Sequence, residues 1–163
     1  MKYILGIEVT YSKVGIFLSL RKYVLDLLAE TSLIGGKGAG TPVDPNTKLN
    51  ENPIEELVDK GRFQWLLGRL IYLSHTRPDI AFDVSLVSQF MFSPTKEHMH
   101  AMRRILNYLK ATPGKAILFA LGTDLTIHKC TNVDYGGSLV DRRPITVYCV
   151  FLGGNLVSWR NKK

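Results

Sequence analysis

The stretch "FQWLLGRLIYLSHTRPDI", residues 63–80, predicts two helices separated by a sharp break. Its first part, "FQWLLGRLIYL", is apolar almost all round, which is typical of a buried helix, and Arg62 and Arg69 lie seven positions apart on one side. The run "HTRPDI" ends that helix. Pro78 suits the first position of a new helix, and Asp79 suits the positive end of the helix dipole.

The helical pattern continues downstream of this break. The second helix carries apolar residues at positions i, i+4, i+7 and i+11, which are Ile80, Val84, Val87 and Met91. A third helix is predicted from Ser93 as N-cap, with Pro94 after it and Gly114 past its end. The apolar side of this third helix combines Met102, Ile105, Leu106, Tyr108 and Leu109.

The other side of the third helix carries a row of polar and cationic residues, here called the basic stripe. It consists of Lys96, His100, Arg103, Asn107 and Lys110. Two interpretations stay open. The stripe is either an ordinary solvated helix face or a surface that follows a phosphate backbone, where each cation adds to a salt-dependent affinity.

Strands are predicted on both sides of the helices. "YILGIEVTY" and "VGIFLSL" around "SKVG" predict a hairpin over the first twenty residues, and "RKYVLDLLAE" predicts a helix after it. After Gly122, "LTIHKCTNVDY", "PITVYCVFL" and "LVSW" predict three antiparallel strands, with "GGN" as a tight turn. The fold class is therefore α+β. No helix in the sequence covers the three-stranded sheet, so we expect that sheet to be incomplete.

Composition indicates a globular protein with an acidic partner. The 163 residues are 45% hydrophobic, and the net charge is +7. Nucleic acid is the first partner that such a charge suggests, and an anionic membrane surface is the second. No span is apolar enough to cross a membrane and no signal peptide is visible, so we expect an intracellular protein without a membrane partner, in an unassigned compartment.

Cysteine and histidine spacing predicts no metal centre. Cys130 and Cys149 have neither a CxxC spacing nor a disulfide framework, and both are expected to be small buried residues in a reducing compartment. His128 shares a strand face with Cys130, but the chain offers no second pair of ligands that would complete a metal site with them. His98 and His100 are two apart on a helix and cannot chelate together.

Several stretches together resemble the Pol polyprotein of copia-type LTR retrotransposons. The most specific is "GRLIYLSHTRPDIAF", and "FLGGNLVSW" is second. "YILGIEV", "GIFLSLRKYVLDLL", "GTPVDPNTKL", "HMHAMRRILNYLKATPGKAILF" and "TNVDYGGSLVDRRPITVYCV" extend the resemblance over essentially the whole chain.

This resemblance implies a division of the chain. Residues 1–34 would form a primer-grip-like hairpin, with Gly6 allowing close approach of the backbone, and the first thumb helix. Residues 35–57 would be a loop or linker, residues 58–122 a helical connection region, and residues 123–163 a truncated RNase H-like domain. The polymerase aspartates, usually in a Tyr-x-Asp-Asp turn, would lie upstream, so we expect no polymerisation by this chain alone.

The RNase H position is degenerate in this resemblance. The family holds two Mg²⁺ ions with a cluster of carboxylates, and the first of these carboxylates is the leading Asp of a Thr/Ser-Asp-Ala-Asp pattern. Here that pattern is Thr131-Asn132-Val133-Asp134, so Asn132 stands where the first ligand is expected and Asp134 is a possible remnant. Since an amide brings no charge to a metal, no catalytic residue is expected to be intact and no cofactor to be bound.

Three hypotheses follow for function. The first is a non-catalytic fragment of a reverse transcriptase and RNase H, which would associate with other parts of a Pol polyprotein. The second is a basic, non-catalytic module that binds an RNA–DNA hybrid or another nucleic acid through Gly6 and the basic stripe. The third is a pseudogene fragment without a selected role.

Overall fold

The structure is a computed structural model that describes residues 2–33, 37–43, 49, 58–122, 125–134 and 145–162. Over these residues the protein is α+β, with four helices and two antiparallel sheets. The chain divides into two compact units, Arg21–Lys115 and a second unit that joins Met1–Leu20 to Ala116–Lys163. These units cut across the domain ranges expected from the resemblance, and those ranges stay a prediction.

The first unit is helical. Its helices are α1 (Arg21–Glu30), α2 (Lys60–Ser74), α3 (Pro78–Ser88) and α4 (Lys96–Ala111). The structure confirms the predicted break between α2 and α3, because α3 begins at Pro78 and has Asp79 in its first turn. Helix α2 begins where Asp59 Oδ1 accepts a hydrogen bond from the Arg62 N–H at 3.1 Å.

The helices bury the apolar positions that the sequence pattern predicts. Helix α2 packs against α3, and α4 packs against α1 and α3. The fully buried side chains include Leu27, Phe63, Leu70, Leu73, Ile80, Val87, Met102, Ile105, Leu106 and Leu109. Residues 37–43, in the predicted linker, form neither helix nor strand, as predicted. Leu49, further along the same predicted linker, is fully buried.

Two details of the helical prediction are wrong. Helix α3 ends at Ser88 rather than continuing to Met91, because the amides of Gln89, Phe90 and Met91 bond to carbonyls three residues back in a tightened turn. Helix α2 is not buried all round, since the side chains of Trp65 and Ile71 are each 43% exposed.

The second unit contains a four-stranded sheet of order β1-β2-β3-β4. Its strands are β1 (Lys2–Ile4), β2 (Ile7–Ser12), β3 (Gly15–Ser19) and β4 (Ile117–Ala120). The β2–β3 hairpin confirms the prediction, but "YILGIEVTY" is not one strand. It folds back at Leu5 and Gly6, both with positive φ, in a two-residue turn between β1 and β2.

Strand β4 was not predicted, and one glycine permits its pairing. Gly15 has φ of +150°, and a Cβ there would lie 2.1 Å from the carbonyl oxygen of Phe119. Because no larger residue fits, Gly15 allows β3 to pair with a segment about one hundred residues further along the chain.

The other sheet of this unit has the order β5-β6-β7, with β5 (Ile127–Asp134), β6 (Ile145–Leu152) and β7 (Asn155–Lys162). This confirms the predicted antiparallel strands and the tight turn, in which Gly153 and Gly154 have positive φ. Among the side chains of these strands that the structure describes, none is buried. The Asn155 side chain bonds to both backbone groups of Ala120, which ties β7 to β4.

Candidate nucleic-acid interface

Helix α4 is positioned by its N-terminus and by its apolar side. The backbone N–H of Thr95 donates to Nδ1 of the buried His98 at 3.0 Å, and the His98 ring stacks on Phe90 with a centroid distance of 3.8 Å. The N-cap is therefore Thr95, and the prediction of Ser93 as the N-cap is wrong. Pro94 stays outside the helix, where its carbonyl accepts the Val58 N–H at 3.1 Å.

The basic stripe lies on the side of α4 that faces away from the core, as its spacing predicts. Lys96, His100 and Arg103 are exposed, whereas Asn107 and Lys110 are half-buried. Their spacing brings all five side chains into one row, but the two halves of the row have different surroundings. Which residues of the stripe contact a nucleic acid stays a prediction.

Residues 37–43 lie against the C-terminal half of the stripe. The Ala39 N–H donates to the Asn107 carbonyl at 3.1 Å, and Arg104 Nη2 donates to Thr41 Oγ1 at 3.1 Å. A Cβ on Gly38 would lie 2.8 Å from Cβ of Ala111, so glycine permits this close approach. The accessible cationic surface is therefore concentrated in the N-terminal half of α4. Arg104, on the edge of the stripe, was missed by the sequence analysis.

A pocket opens beside this N-terminal half and is here called the Trp65 pocket. It has a volume of about 490 Å³ and lies between the end of α1, the start of α2 and α4. Its lining includes Arg62, Trp65, Leu66, Lys96, Met99, Arg103 and Leu106. The apolar pattern of α2 predicts a buried Trp65, with Arg62 and Arg69 on one side of the helix, and the exposure of Trp65 in this pocket corrects that prediction. The signal was present, because Trp65 falls between the two arginines at helical spacing.

The Trp65 indole is held from the α1 side by Arg69. The Arg69 guanidinium lies 5.4 Å from the Trp65 ring and 4.7 Å from the Tyr23 ring, both within cation–π range. Arg69 Nη2 also bonds to Glu30 Oε1 at 3.0 Å. Burial raises the pKa of Tyr23, and this effect outweighs the lowering by the positive charge of Arg69.

The motif "TRPDI" builds a structural network in the helical unit rather than an exposed site. The guanidinium of Arg77, only 3% exposed, donates to both carboxylate oxygens of Asp79 at 2.8 Å and also bonds to Thr112. The Tyr108 hydroxyl donates to Asp79 Oδ2 at 2.7 Å, and Lys115 Nζ donates to the same oxygen at 3.2 Å. The start of α3 is therefore bonded to the C-terminal end of α4.

The pKa of Asp79 reflects this network. Burial alone would raise that pKa, but the hydrogen bonds from Arg77, Tyr108 and Lys115 lower it well below its ordinary value. The pKa of Lys115 is raised, chiefly because its ammonium donates to the Tyr108 hydroxyl. The sequence pattern relates Asp79 only to the helix dipole, because Tyr108 and Lys115 lie 29 and 36 residues further along the chain.

Asp83, one helical turn after Asp79, is compensated only in part, because the hydrogen bond from its own backbone N–H lowers its pKa by less than burial raises it. Its carboxyl is half-buried, and burial raises its pKa to about 6, with a smaller contribution from the negative charge of Asp79. The Asp83 carboxylate is therefore a source of instability at neutral pH.

The remaining predicted residues lie in the unit with the sheets. Gly6 has φ of +81° in the β1–β2 turn, which is reason enough for a glycine there. Asn132 is exposed on β5, with its Cα opposite Val147, and Asp134 ends β5 opposite Ile145. The side chain of Asp134 lies outside the description, as do residues 135–144.

The two cysteines form a cross-strand pair, which the sequence did not predict. Cys130 on β5 and Cys149 on β6 are direct register partners, and both are free thiols. Cys130 is exposed, so the predicted burial of both thiols is wrong, because the side chains of β5 that are described face solvent.

Neither a cluster of metal ligands nor a membrane-spanning helix occurs among the described residues. The part of the chain that the structure describes holds no group of three His, Cys, Asp or Glu side chains placed to bind a metal ion. Over the same residues, no helix combines the length and apolar character needed to cross a bilayer.

Comparisons with known proteins identify the family. The chain is 40% identical over its whole length to the retrovirus-related Pol polyprotein from transposon RE1 of Arabidopsis thaliana, and 37% identical to that from transposon RE2. It is 33% identical to an uncharacterized mitochondrial protein of the same plant, of which it covers 67%. No protein-family model and no solved structure matches the chain.

The chain belongs to the family of retrovirus-related Pol polyproteins of copia-type transposons. It spans about a tenth of the length of the Pol polyproteins it matches, 11% in each of the two Arabidopsis proteins.

Proposed function

We propose that this chain is a nucleic-acid-binding, non-catalytic segment of a copia-type reverse transcriptase and RNase H. The observation that carries the proposal is the exposed row of Lys96, His100 and Arg103 on one side of α4, with Arg104 at its edge. A net charge of +7 supports an anionic partner, and membership of the Pol family supports a nucleic acid over other anions. An RNA–DNA hybrid is the partner that this combination favours.

The proposal includes an assignment of regions, which the resemblance to copia-type Pol polyproteins supports. The β1–β2 turn at Gly6 corresponds to a primer-grip-like hairpin, the four helices to the thumb and connection region, and β5–β7 to the opening strands of an RNase H domain. In such a protein the helical unit holds nucleic acid, and other parts of the Pol polyprotein are its natural partners.

The absence of catalysis is part of the proposal. The 163 residues contain no Tyr-x-Asp-Asp sequence, and Asn132 stands where the family has the first RNase H carboxylate. Because an amide oxygen carries no charge, it cannot replace a carboxylate that bridges two Mg²⁺ ions. Asp134 alone does not make a site for two cations.

The test is fluorescence anisotropy of a labelled RNA–DNA hybrid, titrated with the full chain at several salt concentrations. We expect affinity to fall steeply between about 50 mM and about 200 mM salt, since phosphate contacts release counterions. Lys96→Ala and Arg103→Ala should each lower the slope of log K against log salt by about 1. Lys13→Ala, an exposed lysine in the β2–β3 turn, is the matched control and should leave that slope nearly unchanged.

Three results would count against the proposal. If Lys96→Ala and Arg103→Ala bind the hybrid as the Lys13→Ala control does, α4 is not the binding surface. If the chain removes RNA from the hybrid when Mg²⁺ is added, the non-catalytic part is wrong. Folded protein that binds no nucleic acid at low salt would favour a pseudogene fragment without a binding role.

A further inference from the structure

The Trp65 pocket combines a flat aromatic surface with cations at the end of the basic stripe. Trp65 is 43% exposed although it lies in a concave site, and Leu66, Met99 and Leu106 add apolar walls. Lys96 and Arg103, the exposed cations of α4, line the same pocket. The pocket is therefore continuous with the surface proposed to hold phosphates.

The charge of the pocket favours an anionic ligand. Among the described lining residues, Arg62, Lys96 and Arg103 are cationic and Asp59 is acidic. Asp59 is already engaged, because its Oδ1 accepts the Arg62 N–H at the start of α2. An aromatic face beside several cations is the combination by which proteins bind single-stranded nucleic acid. A volume of about 490 Å³ lies within the range of small-ligand pockets and accommodates a nucleotide.

We propose that the Trp65 pocket binds one unpaired nucleobase, stacked on the indole, from a single strand whose phosphates contact Lys96 and Arg103. This inference rests on the proposed function, since it needs nucleic acid on α4. It adds a preference for single-stranded or overhanging ends, which a fully paired hybrid cannot supply. Arg69 acts as a positioning residue, because its contacts with Trp65 and Glu30 hold the indole from the α1 side.

The test uses Trp65 as its own reporter. The chain has two tryptophans, so Trp159→Phe leaves Trp65 as the single indole. We expect an oligothymidylate of about 12 nucleotides to quench this fluorescence and a blunt RNA–DNA hybrid to leave it nearly unchanged. In the wild-type background, anisotropy of a labelled oligothymidylate should show about tenfold weaker binding by Trp65→Leu and nearly full affinity for Trp65→Phe.

The controls separate stacking from charge and from folding. Trp65→Leu keeps an apolar side chain at this half-exposed position, so its helical circular dichroism should match that of the wild type. Arg62→Ala should weaken binding of the oligothymidylate more than Lys13→Ala, which removes a charge outside the pocket.

The outcomes distinguish this inference from the proposed function. Salt-sensitive binding of the blunt hybrid, without quenching of Trp65 by the oligothymidylate, overturns the pocket and leaves the proposed function standing. Equal affinities of Trp65→Leu and Trp65→Phe for the oligothymidylate also overturn it. Failure of folded protein to bind either nucleic acid overturns both.

Discussion

Replacing Asp83 by asparagine should stabilise the helical unit at neutral pH and leave it unchanged under mild acid. Burial raises the pKa of Asp83 from 3.8 to about 6, so its carboxylate is disfavoured in the folded protein. Each pKa unit corresponds to about 1.4 kcal/mol, which sets an upper limit of roughly 3 kcal/mol. Because the group is half-buried and partly screened by solvent, about 1 to 2 kcal/mol is the expected gain in the free energy of unfolding.

The pH dependence follows from the direction of the shift. Below the unfolded value of 3.8 the carboxyl is neutral in both states, so Asp83 carries no penalty. As the pH rises from there to about 6, the unfolded chain ionises first and the wild type loses stability relative to Asp83→Asn. Above about pH 6 the carboxyl is ionised in both states, so the difference in stability between Asp83→Asn and the wild type no longer changes with pH.

The assay is urea denaturation of both proteins at about pH 3 and about pH 7.5, in a Trp159→Phe background where Trp65 reports on the helical unit. Asp26→Asn, the same substitution at an exposed position of α1, is the control and should change stability by less than about 0.5 kcal/mol. The reasoning is refuted if Asp83→Asn is no more stable than the wild type at about pH 7.5. It is refuted equally if its advantage is the same at both pH values.

Three further predictions concern contacts that join distant parts of the chain. Asp79→Asn should destabilise the helical unit by about 3 kcal/mol in urea denaturation, because the buried Arg77 loses its charge partner. This loss of stability should shrink below about pH 4, where the unfolded carboxyl is protonated. A loss under about 0.5 kcal/mol would contradict the network. Gly15→Ala should lower the free energy of unfolding by about 2 kcal/mol and remove hydrogen-exchange protection from β4, because the added Cβ meets the Phe119 carbonyl oxygen. Unchanged protection would show that β4 does not pair with β3. Diamide should oxidise Cys130 and Cys149 to an intramolecular disulfide, because directly paired strand residues lie within disulfide range. Mass spectrometry of non-reduced peptides detects this disulfide, and Cys149→Ser is the control. Two thiols that persist after diamide treatment would contradict the β5–β6 register.

The outcome for Asp83 shows how far local patterns reach. The sequence places Asp83 between the buried Ile80 and Val87 of α3, where a charge costs stability unless it faces solvent, and the structure finds its carboxyl half-buried with a raised pKa. The position of the basic stripe was predictable for the same reason, because a period of 3.6 residues determines which side chains share a helix face. The cover of residues 37–43 over Asn107 has no such periodic signal.

The sequence by itself determined the helices, the β2–β3 hairpin, the β5–β7 sheet and the side of α4 on which the cations lie. Each of these depends on neighbours within one helical turn or across one short turn, where spacing and residue type suffice. Only the tertiary structure decided the pairing of β4 with β3, the bonding of Arg77 and Asp79 to α4, and the pocket around Trp65. These features join residues tens of positions apart, and their partners are set by how the whole chain packs rather than by any local pattern.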